Sequence, residues 1–268
     1  MHKTTRLRAL AWFGALLAGS ASAHDLWLVP TSDDSGVIAE IGYGHDFPAR
    51  GSEPVAPGMF SAPVLSDGKT TITLQATDQP YVYRHQGALA DATYLMTSAT
   101  APAYWSETAS GWEKTDKTGR SDIKQCLFVK KFTKAVLNTA AQPSAQITGS
   151  AQGQQLEIIP REGLLSRDQE LAFAVQLDGK PLAGAQVTVN SAEYVQQQIA
   201  QARAQDKDNP HPKIAAQFSG KTDASGVVVF SDVGAGFWLA HVGHKSPYPE
   251  SARCDTQSLA ATLTFNRR

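Results

Sequence analysis

Histidine is the residue type in this sequence with the most chemistry to offer. Beyond the first 23 residues it occurs as His24, His45, His85, His211, His241 and His244. A neutral imidazole is a common ligand for nickel, copper and zinc. His24 stands apart because of what precedes it. Ala21-Ser22-Ala23 is a small-residue cleavage signature, so processing there makes His24 the first residue of the mature chain. The new α-amine, with an ordinary pKa of about 8, is partly neutral at neutral pH. Amine and ring Nδ1 of one residue form a chelate, so His24 supplies two nitrogens with little ordering cost. Leu26, Trp27 and Leu28 follow at once and predict a strand that pins the terminus.

The other histidines differ in context. His45 ends the run Gly42-Tyr43-Gly44-His45, whose glycines predict tight backbone geometry, and Asp46 beside it is a candidate acceptor for a ligand's second N–H. His241 and His244 are three apart on a predicted strand and therefore face opposite sides, so a single ion takes one of them unless Gly243 bends the chain. His85 reads as a strand-end surface residue. His211, between two prolines, reads as a loop residue. The candidate metal ligands are thus His24, His45, His244 and His241. Tetragonal nitrogen sites suit Ni(II) or Cu(II), and intrinsic affinity favours copper.

These residues sit in a chain whose start describes export. Lys3, Arg6 and Arg8 precede an uncharged apolar stretch and the cleavage signature, which makes residues 1–23 a secretory signal peptide and predicts a periplasmic protein. The apolar stretch is shorter than the roughly 20 residues that span a bilayer. The net charge of −1 and the lack of clustered Lys and Arg exclude a nucleic-acid surface. Cys126 and Cys254 are an even pair, which an oxidising compartment permits to form one disulfide clamping the two halves; two buried free thiols are the alternative. There is no G-x-S-x-G, no H-E-x-x-H and no paired-carboxylate signature, so an enzyme is not expected.

The elements that must position the histidines are mainly strands. Residues 70–76, Leu171–Leu177 and Ser258–Phe265 alternate apolar and polar side chains, the pattern of half-buried strands. Asp178-Gly179 and Ser225-Gly226 supply turns. Residues 192–204 break the pattern and predict a short helix. The fold class expected is all-β: two β-sandwich domains of immunoglobulin or transthyretin type, with a short helical insertion in the second. The boundaries are 24–140 for the first domain, 141–154 for a linker rich in small and polar residues, and 155–268 for the second. Trp27, Tyr43, Tyr104, Trp105, Trp112 and Trp238 read as core aromatics.

An ordered set of motifs resembles a known family. It comprises His24-Asp25-Leu26-Trp27-Leu28, Gly42-Tyr43-Gly44-His45, Lys130-Lys131-Phe132-Thr133-Lys134-Ala135, Leu156-Glu157-Ile158-Ile159-Pro160, Asp178-Gly179-Lys180-Pro181-Leu182, Thr222-Asp223-Ala224-Ser225-Gly226, and Gly236-Phe237-Trp238 leading to His244. Together they resemble the DUF4198 family of bacterial periplasmic proteins. The resemblance implies a β-rich protein whose C-terminal part is like a transthyretin or carboxypeptidase-regulatory domain. It implies binding of nickel or cobalt ions for uptake, with a membrane uptake transporter component as partner. It favours His45 and His244 as ligands. The helical segment departs from the family pattern. Two other functions compete: an oxidative enzyme with copper held in a histidine brace, and a structural or carbohydrate-binding β-sandwich module.

Overall fold

The computed structural model describes residues 24–51, 55–166, 168–207 and 212–268. The expected leader at 1–23 and His211 lie outside the described residues.

In chain order the strands are β1 (Asp25–Asp33), β2 (Gly36–Gly44), β3 (Val64–Ser66), β4 (Thr71–Thr73), β5 (Gln75–Ala76), β6 (Val82–Gln86), β7 (Thr93–Ala99), β8 (Ala103–Thr108), β9 (Gly111–Glu113) and β10 (Gln125–Asn138). A one-turn helix, α1 (Ala145–Thr148), leads to β11 (Leu156–Glu162), β12 (Leu171–Leu177), β13 (Lys180–Pro181) and β14 (Gln186–Ser191). Helix α2 (Ala192–Gln205) precedes β15 (Phe218–Lys221), β16 (Val227–Phe230), β17 (Gly236–Pro247) and β18 (Thr256–Arg267).

The fold is all-β with sandwich packing. A ten-stranded sheet runs β15-β14-β17-β18-β10-β7-β3-β4, with β8 and β9 branching from β10. One four-stranded sheet, β1-β2-β6-β5, covers one side of it; another, β11-β12-β13 with β16 on β12, covers the other. The two halves of the chain meet inside the large sheet, where β10 pairs with β18 in parallel. The stretch 141–154 therefore links two sandwiches that share a sheet.

Side-chain alternation on β10 explains the layering. Phe132 and Val136 join the core with β11 and β12, whereas Ala135 and Leu137 join the core with β1 and β2. A strand covered on both faces buries every position, and β18 does so from Gln257 to Phe265; its polar members include Thr262 and Thr264, whose hydroxyls are hydrogen-bonded to β1. The half-burial expected of β18 is corrected by this second covering layer. The expected strand at 70–76 also changes. Leu74 turns inward and its N–H donates to the Pro63 carbonyl at 2.9 Å, so β4 and β5 fall in different sheets.

Helix α2 is where the sequence predicts it. The Ser191 side chain caps its first turn by accepting from the Tyr194 N–H at 3.1 Å, and Glu193 and Arg203 suit the two ends of its dipole. Val195 and Ile199 pack it onto Trp27, Phe47 and Leu239. The helix thus braces the start of the N-terminal strand.

Cys126 and Cys254 form a disulfide with Cα atoms 4.9 Å apart. It ties the start of β10 to the segment entering β18. Asp255 reinforces the join, accepting from the Cys126 N–H at 2.8 Å and from Lys117 at 2.6 Å.

Candidate metal centre

The N-terminal strand is fixed from two sides. Its pairing with β2 places Asp25 opposite Gly44 and Leu26 opposite Tyr43. Among the described residues its other edge pairs with no strand, and threonine hydroxyls from β18 bond its carbonyls instead. Thr262 donates to the Leu26 carbonyl at 2.5 Å, and Thr264 donates to the Leu28 carbonyl at 2.6 Å. Thr133 of β10 lies 2.9 Å from the Thr262 hydroxyl. Trp27 is buried against Phe47, and its indole lies so close over Gly42 that a Cβ there would overlap it. Gly44 adopts φ 152°, a region L side chains rarely enter, and so turns the chain toward His45. Both glycines read from the sequence have a definite geometric reason.

This frame brings His24, Tyr43 and His45 together. The His24 ring stacks on Tyr43 at 5.1 Å between centroids and lies 5.2 Å from the His45 ring at 36°. Metal–nitrogen bonds of about 2.0–2.1 Å put two imidazole centroids that share an ion roughly 4.5–6.3 Å apart. The observed separation falls within that range. Among the described residues, no three His, Cys, Asp or Glu side chains gather as a ligand group. A complete site at His24 and His45 therefore needs a nitrogen that is not a side chain, and the α-amine of a processed His24 is the candidate.

The third histidine nearest this place is His241. Its Nε2 is 3.4 Å from Asp25 Oδ1. It shares a strand face with Phe237 and Leu239, which pack toward Trp27. His244 has the parity of Trp238, Ala240 and Val242, whose side chains enter the core on the opposite face of the sheet. Its pairing with Leu259 continues the register without a bulge. Of the four expected ligands His24, His45, His244 and His241, the structure brings the rings of His24 and His45 together. It sets His241 beside Asp25, while His244 lies on the opposite face of an unbent β17. His85 pairs with Val37, near the start of β2, whereas His45 follows its end. Asp46, read as an acceptor for a histidine N–H, carries a salt bridge to Arg203 of α2 at 2.6 Å.

Two features escaped the sequence reading. Lys131 is 4% exposed on the β10 face toward β1. Burial pushes its ammonium below the ordinary lysine range, and the charge of Asp25 opposes that shift. On the other face, Lys134 and Glu157 form an ion pair at 2.6 Å, with side chains 1% and 2% exposed. The Glu157 carboxylate also accepts from the backbone N–H groups of Gln152 at 2.7 Å and Gln154 at 3.3 Å. The signal for both was present: lysines interleaved with Phe132, Ala135 and Val136 in a fourteen-residue strand fall where both faces are covered. The aromatics divide as well. Trp27 and Trp238 are core, whereas Trp105 and Trp112 are exposed on the β8–β9 hairpin.

The motif stretches quoted above now have positions. His24-Asp25, Gly42 to His45 and Lys131 converge at one end of β1, and Lys134 with Glu157 joins two layers. The model of the family described as a domain of unknown function, DUF4198, matches residues 21–246. The chain belongs to the DUF4198 family. No curated protein matches this family member. Solved structures similar to it include native alpha-2-macroglobulin from Escherichia coli, at 10% identity, 90% of this chain, 72% of that one and a TM-score of 0.22. The D0-D1 domain of intimin matches at 10% identity, 90% and 97% coverage and a TM-score of 0.20. Murine CEACAM1b matches at 8% identity, 91% and 100% coverage and a TM-score of 0.22. At such scores these likenesses carry no argument about this DUF4198 protein.

Proposed function

We propose that this protein is exported to the periplasm, begins at His24 after its leader is removed, and binds a transition-metal ion for uptake. Nickel or cobalt is the cargo, and a membrane uptake transporter component is the recipient. The observation that carries this reading is the His24–His45 ring pair, 5.2 Å apart on a strand whose start is pinned by Thr262 and Thr264. The ligands are the His24 amine, the His24 ring and the His45 ring. Asp25 and His241 lie beside them and orient the end of the strand. Three nitrogens leave positions open on the ion, which suits a carrier that must release it.

A copper brace in an oxidative enzyme uses the same three nitrogens. The cavity walled by Tyr43 and Trp105 next to them is the observation in its favour. One set of measurements separates the readings. Chain starting at His24 is titrated calorimetrically with Ni(II), Co(II) and Cu(II), alongside chain carrying one extra N-terminal glycine. The extension weakens binding by more than about 100-fold, or about 2.8 kcal/mol, if the amine is a ligand. Equal affinity removes the amine from the site. Reductant-dependent oxygen consumption by the copper form favours the enzyme, and no binding of any ion leaves a structural module.

A further inference from the structure

Trp105 and Trp112 were expected in the core, yet they are 39% and 45% exposed. The strand register puts both on one face. Glu107 lies opposite Trp112 on β9 and opposite Gln125 on β10, and Trp105 is two residues from Glu107 on the same strand. One open face thus carries two indoles with a carboxylate and an amide between them. It continues past Trp105 through Ala103 and Val129, which line a cavity of about 310 Å³ together with Lys114, Met59 and Tyr43. From Glu107 to Ala103 the face runs four residues, about 13 Å. The reverse face of the hairpin is fastened down. The Ser106 hydroxyl donates to the Thr115 carbonyl at 2.8 Å, and Ser106 lies opposite Cys126 of the disulfide. The Thr108 hydroxyl donates to the Gly111 carbonyl at 3.0 Å, and the Tyr104 and Tyr248 hydroxyls meet at 2.8 Å. The two open indoles therefore stand on a rigid support.

This pattern selects a kind of ligand. A wholly apolar molecule laid across the face would strip water from Glu107 and Gln125 and replace none of it. Glu107 and Lys114 carry opposite charges at the two sides of Trp105, so a polymer of one charge sign gains at one and loses at the other. A pyranose ring meets both demands. Its C–H face lies flat on an indole, and its hydroxyls radiate sideways to groups that accept or donate. Links that keep successive rings extended suit a flat strand face; links that curl the chain lift it away. We infer that this face binds a neutral β-1,4-linked glycan chain, its rings on Trp112 and Trp105 and its hydroxyls on Glu107, Gln125 and Lys114. A rigid hairpin lowers the ordering cost of such a contact. This site is separate from metal binding and stands whether or not His24 holds an ion.

The probes are cellopentaose and chitopentaose, which share the β-1,4 link and differ in their N-acetyl groups, with the curled maltopentaose as control. Metal-free protein in chelator is titrated with each to millimolar concentration, and tryptophan emission and heat are followed. At least one of the two extended chains binds, and binds about tenfold or more tightly than maltopentaose. The chain with the higher affinity tells which sugar the face takes. Trp112→Ala weakens that binding by about tenfold or more, and Trp112→Tyr keeps most of it, because a ring face remains. Trp112 is open to solvent, so both variants fold; thermal melting verifies this, and Glu107→Ala gives a second, smaller loss. Absence of binding by both extended chains, equal affinity for maltopentaose, or full binding in Trp112→Ala overturns the inference. So does self-association of the parent chain that Trp112→Ala abolishes in the absence of glycan binding, since the face would then be a protein contact.

Discussion

Lys131 and Lys134 stand three residues apart on β10 and are both buried, yet they occupy opposite faces and different surroundings. Lys134 points toward β11, where Glu157 meets it at 2.6 Å and two backbone N–H groups complete the carboxylate's shell. Lys131 points toward β1, lines a cavity and feels the charge of Asp25. The first centre is an ion pair whose carboxylate also takes two backbone N–H groups, so it holds two layers together. The second has open space next to it and aromatic walls around it. A buried charge by itself does not mark a functional site; the space and partners around it do.

The comparison can be broken by experiment. Glu157→Gln removes the charge that Lys134 needs, and a broken buried pair costs about 3–5 kcal/mol. Denaturant unfolding measures the loss, and replacing both partners by Met and Leu restores much of it. A neutral Glu157→Gln would show that the ion pair is not structural. Next in size is the disulfide that fixes the start of the same strand. Replacing Cys126 and Cys254 by Ala lowers stability by about 2–5 kcal/mol, read from the same unfolding curves. A smaller effect sharpens the open side. Thr262→Val leaves the Leu26 carbonyl without its hydroxyl donor, at about 1–3 kcal/mol. It also frees the start of β1, so metal affinity falls along with stability. Lost stability with unchanged affinity would separate the strand's anchor from the site.

Much of the fold was legible from local pattern. Strand β12 coincides with its predicted residues, Leu171–Leu177, and α2 lies within one residue of its predicted end. Both have a clear period and a turn or cap at the boundary. The shared sheet was not legible, because the parallel pairing of β10 with β18 joins residues more than a hundred positions apart. The site was legible in part. Gly42, Gly44 and His45 announce close geometry, and Leu26 to Leu28 announce a pinned strand. The choice between His241 and His244 depended on which face of β17 meets β1. Sequence parity says that they differ, but only packing says which one turns inward. Lys131 and Lys134 carry identical local signals and opposite roles, since the role belongs to the neighbouring layer.

The central claim is that the ion is held at the His24–His45 end of β1 and away from His244. Nickel titration of chain beginning at His24, compared with His45→Ala and His244→Ala, tests it most directly. The account predicts that His45→Ala loses binding by about 100-fold or more, about 2.8 kcal/mol, while His244→Ala binds as the parent does. Binding that survives His45→Ala and fails in His244→Ala would contradict it.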